Sequence, residues 1–104
     1  MSIIYDVIKE ELARNLVMQQ AYAKELSKQR QGSLVIRRLP HSSNVYFYLG
    51  YRANGKVIQQ YLGIKDQLDV AAIKKELNDS RKLKLSLKEL KNNEARIRKA
   101  LNAL

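Results

Sequence analysis

Val45-Tyr46-Phe47-Tyr48-Leu49-Gly50-Tyr51-Arg52-Ala53-Asn54-Gly55-Lys56-Val57-Ile58-Gln59-Gln60-Tyr61-Leu62 is the stretch that decides the fold. Two runs rich in aromatic and β-branched residues flank Asn54-Gly55, the dipeptide that supplies both positive-φ positions of a type I′ hairpin turn. A two-residue turn fixes register, so Ala53 pairs with Lys56, Arg52 with Val57 and Tyr51 with Ile58. Side chains alternate between faces along a strand. One face therefore carries Val45, Phe47, Leu49, Tyr51, Ile58 and Leu62, with Gln60 as its polar member, and should be covered by a helix. The other carries Tyr46, Tyr48, Gly50, Arg52, Val57, Gln59 and Tyr61.

Outward from the hairpin, Ser33 to Leu39 reads as a preceding strand, joined through a Pro40-His41-Ser42-Ser43-Asn44 turn, and Gly63 closes the third strand. In the first strand either Leu34, Ile36 and Arg38 or Val35, Arg37 and Leu39 share a face. In each case one of Arg37 and Arg38 lies with the tyrosines. Residues 3–29 form a long helix free of Gly and Pro, ended by Gly32. Asp69 caps a second helix over 70–81, and Ser86-x-x-Glu89 is a capping box that restarts a third over 86–103.

The outer helices carry matching apolar seams. Tyr5, Ile8, Leu12, Asn15, Gln19, Tyr22 and Leu26 alternate at spacings of three and four, as do Leu83, Leu87, Leu90, Glu94, Ile97, Leu101 and Leu104. Ile4, Leu16 and Ala23 widen the first stripe. Heptad seams of equal length suit antiparallel pairing, which brings Asn15 near Glu94; the same stripes could serve a homodimer instead of a monomer. The expected fold is one α+β domain, residues 1–104: a long helix, a three-stranded antiparallel sheet over 33–62, and two C-terminal helices, the terminal helices pairing in a coiled-coil-like seam.

The 104 residues carry a net charge of +10 and no cysteine, so there is neither a disulfide framework nor a thiolate metal site. Residues 1–25 sum to −1, 26–65 to +7, 66–80 to −2 and 81–104 to +6, and no acidic residue stands between Glu25 and Asp66. Such a field attracts polyanions. The N-terminus lacks a basic region followed by an apolar run, and no window approaches the roughly 18 apolar residues of a membrane span. A cytoplasmic protein that does not engage a membrane is the expectation.

The acid-free stretch coincides with the sheet, and a face combining tyrosines with Arg and Gln can stack, donate and accept. Arg and Gln suit bidentate contacts with base edges, a small sheet can lie in a major groove, and tyrosines stack on unpaired bases. Tyrosine pairs also stabilise sheets without any ligand, and the C-terminal helices could cover this face instead. The binding candidates are Arg37, Arg38, Tyr46, Tyr48, Arg52, Lys56, Gln59 and Tyr61, with Lys88, Lys91, Arg98 and Lys99 of the basic C-terminal helix as a second, phosphate-facing set.

Tyr46-Phe47-Tyr48-Leu49-Gly50-Tyr51-Arg52-Ala53-Asn54-Gly55-Lys56, followed by Tyr61-Leu62-Gly63, resembles the arm-type DNA-binding domain of tyrosine integrases, where a three-stranded sheet precedes a helix. With Gly32-Ser33-Leu34 and both flanking helices it also resembles small uncharacterised bacterial and mobile-element proteins. The integrase resemblance implies a sheet in the major groove with Arg37, Arg38, Tyr48, Arg52 and Lys56 in contact. The third strand departs from the basic one frequent in arm domains, and the chain carries no recombinase domain.

No catalytic constellation is legible. His41 is the sole histidine, there is no Gly-rich phosphate loop, and the carboxylates lie on the helices instead of beside the basic sheet. Neither a cofactor nor a metal is expected. The residues therefore point to a non-catalytic nucleic-acid-binding accessory protein, double-stranded DNA foremost. The alternative is a phage- or mobile-element-type protein-binding module, an inhibitor or adaptor of a host nucleic-acid-handling complex in the manner of an anti-CRISPR protein.

Overall fold

The computed structural model describes residues 2–104. The chain is α+β, in the order α1 (Ile3–Ser27), β1 (Ser33–Arg38), β2 (Val45–Ala53), β3 (Lys56–Ile64), a short 3-10 turn (Lys65–Gln67) and α2 (Val70–Asn102). It divides into two compact units, one of residues 29–81, the other of the residues up to Lys28 together with those from Lys82 onward.

The sheet unit is built around the hairpin. Asn54 and Gly55 take φ of 53° and 76°, as a type I′ turn requires, and Ala53↔Lys56, Arg52↔Val57 and Tyr51↔Ile58 pair as the turn dictates. The three strands are antiparallel in the order β1-β2-β3. Alternation holds as far as Tyr48↔Tyr61. There a bulge intervenes: Phe47 pairs with Gly63 and Tyr46 with Ile64, leaving Leu62 as the extra residue. Gly63 thus does not end the strand. With φ of 148° it absorbs the irregularity, as glycine can, and β3 runs on to Ile64.

One face of this sheet is covered by the first turns of α2. Leu49, Ile73 and Leu77 form the buried cluster, with Leu34, Tyr51, Leu62 and Leu68 packed against it. The expected inner face is realised over its centre but not its edge, because Ile58 and Gln60 on β3 are exposed. The helix starts where the sequence predicts: the Ala72 amide donates to Asp69 Oδ1 at 3.0 Å.

The connector between α1 and β1 has no regular structure, yet it is tied to α2. Ser80, 2% exposed, donates to Arg30 O at 2.6 Å and to Gln29 Oε1 at 3.0 Å. The Arg30 amide donates to Glu76 Oε1 at 2.8 Å, and Arg81 Nη2 reaches Gly32 O at 3.3 Å. These partners take over the backbone before Gly32, so α1 ends at Ser27 and not at Gln29. β1 likewise stops at Arg38, one residue short of Leu39.

In the helical unit the seam positions are the shielded ones. Asn15 and Leu26 are buried; Tyr5, Ile8, Leu12, Gln19, Tyr22, Leu83, Leu87, Leu90, Glu94, Ile97 and Leu101 are half-buried. Leu104 and the flanking Ile4 and Ala23 are exposed instead. The polar interruptions meet. Asn15 Nδ2 donates to Leu90 O at 2.9 Å, and Gln19 Nε2 donates to Asn15 Oδ1 at 2.7 Å and Glu94 Oε1 at 2.8 Å. Arg98 Nε closes the chain on Glu94 Oε2 at 2.7 Å. Gln19, more than Asn15, is the partner of Glu94.

The two expected C-terminal helices are one. Residues 70–102 form a single α-helix through Ser86 and Glu89. No Gly or Pro interrupts this stretch, and a capping box acts only where backbone amides lack helical partners. Ser86 has that partner one turn earlier, so the helix continues.

The Glu94 carboxyl is held below its ordinary value of 4.5, first by the hydrogen bond from Gln19 and then by that from Arg98. A depressed folded-state value means that its stabilising contribution is complete above 4.5 and is lost as pH falls through the lowered value. Glu94→Gln should therefore flatten the acid limb of a thermal-stability profile while leaving the neutral limb's shape unchanged. An acid limb identical to wild type would mean that the carboxylate does not hold this contact.

Candidate nucleic-acid interface

The even-numbered residues of β2 place Tyr46, Tyr48, Gly50 and Arg52 on the face turned away from the α2 cluster. The pairing adds Tyr61, Gln59 and Val57 from β3, opposite Tyr48, Gly50 and Arg52. It also settles the first strand. Val35 pairs with Tyr48 and Arg37 with Tyr46, so these two join the tyrosines; Leu34, Ile36 and Arg38 lie on the other face. Arg38, a candidate beside Arg37 in the sequence, is thus separated from it by alternation.

The side chains form one connected group. Tyr61 lies 5.3 Å from Tyr48 and 6.5 Å from Tyr46 between ring centroids, tilted by 58° and 43°, distances at which aromatic pairs attract. The Arg37 guanidinium sits 5.2 Å from the Tyr48 ring centre and donates through Nη2 to Gln59 Oε1. Arg37 therefore reaches from β1 across the middle strand to β3. A Cβ on Gly50, opposite Gln59 on this face, would meet Val35 Cγ2 at 3.2 Å.

Exposure matches the geometry. Tyr61 is 53% exposed; Arg37, Arg52, Lys56, Val57 and Gln59 are exposed, and Tyr46 and Tyr48 half-buried. The α2 helix covers the opposite face, so the tyrosines are not its core. The Tyr46 hydroxyl lies 3.5 Å from Ser42 Oγ, and hydrogen bonding from Ser42, then Asn44, lowers its ionisation below the usual phenol value of 10.0. This contact fastens the 39–44 connector to the site, a role for Ser42 that its turn composition does not announce.

The second candidate set stands elsewhere. Lys88, Lys91, Arg98 and Lys99 belong to the helical unit. All are exposed, but Arg98 is engaged with Glu94. His41 is exposed in its turn, and among the described residues no three His, Cys, Asp or Glu side chains gather as metal ligands. No helix among the described residues is long and apolar enough to cross a membrane. No protein-family model matches the chain, and neither a curated protein nor a solved structure shows significant similarity to it.

Proposed function

We propose that this protein is a non-catalytic nucleic-acid-binding accessory protein that takes double-stranded DNA on its tyrosine-bearing sheet face. The observation that carries this reading is the exposed Arg37–Tyr48–Gln59 group beside Tyr61, within a stretch from Glu25 to Asp66 that holds no acid between its ends. Arg37, Arg52 and Lys56 meet phosphates or base edges, Gln59 and the tyrosine hydroxyls offer groove contacts, and Lys88, Lys91 and Lys99 add backbone contacts. The hairpin's likeness to integrase arm domains agrees with this. We further take the terminal helical seams to pair antiparallel as a coiled coil, with Asn15, Gln19 and Glu94 fixing its register, and the protein to work in the cytoplasm.

One feature also favours a protein partner. Arg37, held in advance by Tyr48 and Gln59, has the make-up of an interface anchor, as an inhibitor or adaptor of a nucleic-acid enzyme would use.

A salt titration of binding to a labelled random-sequence duplex separates the two readings. Neutralising about five to seven phosphates gives a log–log slope of roughly −5 to −6. Arg37→Ala, Tyr48→Ala and Arg52→Ala should each weaken binding about tenfold or more. Affinity no better than about 10⁻⁴ to 10⁻⁶ M, unchanged by all three substitutions, would remove DNA as the ligand and turn the face to a protein.

A further inference from the structure

The outer face of α1 carries a second heptad stripe. Ile3, Val7, Glu10, Arg14, Val17 and Ala21 follow one another at spacings of four and three, on the side away from the shielded Asn15, Gln19 and Leu26. All six are exposed, Ile3 at 82%, Val7 at 53% and Val17 at 65%. Ala13, Arg14, Val17 and Met18 line a shallow depression on it. Solvated helix faces are ordinarily polar, and large exposed apolar stripes mark contact surfaces.

The order of residues in the stripe names its occupant. Its middle is charged, Glu10 then Arg14, and its two ends are apolar. An interface about a two-fold axis must be complementary to itself. Laid antiparallel on a copy of itself about a centre near Leu12, the stripe sets Glu10 against Arg14, Val7 against Val17 and Ile3 against Ala21, each twice. Parallel pairing would instead oppose Glu10 to Glu10 and Arg14 to Arg14. Arg14 already pairs with Glu11 at 2.6 Å and feels Glu10 on its own helix, but with both side chains of the Glu11 pair more than half exposed that contact is cheap to exchange.

Charge also selects this element. Copies of a +10 chain repel, yet α1 carries four acids (Asp6, Glu10, Glu11, Glu25) against three bases (Lys9, Arg14, Lys24). The same balance disfavours an anionic lipid surface, which prefers a basic polar face.

We propose that the exposed face of α1 is a homodimer interface, two copies of this chain pairing antiparallel about a two-fold axis through Glu10–Arg14 contacts flanked by Val7–Val17. Docking places Val7 of one copy in the depression beside Val17 of the other. An interface of this length is small, at the weak and transient end of protein interfaces.

Sedimentation equilibrium of the full chain without nucleic acid, over a concentration series at physiological and high salt, tests this independently of DNA binding. The expected result is a species of twice the 12.0 kDa chain mass at both salt concentrations, since salt screens the net repulsion between copies as well as the Glu10–Arg14 pairs. Val17→Asp, Glu10→Arg and Arg14→Glu should each weaken it at least ~10-fold with an unchanged circular dichroism spectrum. The double variant Glu10→Arg/Arg14→Glu should restore it. A monomer throughout the series, a dimer indifferent to Val17→Asp and Glu10→Arg, or a double variant as weak as the singles would each overturn the proposal.

Discussion

Gly32→Ala is expected to destabilise the sheet unit by about 3 kcal/mol or more, a large share of the roughly 5–15 kcal/mol that holds a small domain together. Gly32 has a φ of 131°, a conformation essentially confined to glycine. A Cβ there would also stand closer than 3.0 Å to the Gly50 carbonyl oxygen. That oxygen belongs to the central strand, which cannot yield without disturbing its pairing with β1 and β3. Gly55→Ala isolates the backbone contribution: its φ of 76° is also positive, but nothing lies within 4 Å of its Cβ, so about 1–2 kcal/mol is expected. Urea unfolding followed by tyrosine fluorescence measures both, since four of the six tyrosines lie in the sheet strands. Equal midpoint shifts for the two variants would show that the Gly32–Gly50 approach carries no energetic weight.

Leu77→Ala should cost about 2–5 kcal/mol, the range for a buried leucine whose neighbours collapse only partly into the space left. Leu77 is 3% exposed, and it shares the cluster beneath the sheet with Leu49 and Ile73, both 6% exposed. With so few fully buried apolar side chains there is little else to compensate. The alanine variant should lose its cooperative fluorescence transition near room temperature, whereas Leu85→Ala, on an exposed position of the same helix, should move the midpoint little. A Leu77→Ala midpoint within error of Leu85→Ala would mean that α2 does not anchor the sheet.

The parts of this fold legible in the sequence are those written in local chemistry. Asn54-Gly55 fixed the hairpin register, and with it the union of Tyr46, Tyr48, Gln59 and Tyr61 on one face. Asp69 announced the start of α2, and the three-and-four spacing marked the shielded positions of both terminal helical segments. What escaped depends on distant partners. The 39–44 connector is long enough to permit either register, so only the completed pairing chooses Arg37 over Arg38. The bulge at Leu62 and Gly63 arises because β3 must both pair with Phe47 and set Leu62 in the core. Ser86-x-x-Glu89 satisfied a capping pattern, but a pattern does not reveal that the preceding turn is already helical. Ser80 looks like a solvent-facing polar residue among charges; its burial follows from the carbonyl of Arg30, fifty positions away.

That separation has a bearing on the order of assembly. The hairpin closes over two residues and forms on the microsecond scale, whereas the Ser80, Glu76 and Arg81 bonds to the 29–32 connector join groups 46 to 51 positions apart. Closing so long a loop carries an entropic cost that the sheet must meet before any of these bonds can form. The connector is therefore stitched late, and the speed of folding is governed by topology more than by the strength of the tyrosine-rich hairpin that begins it.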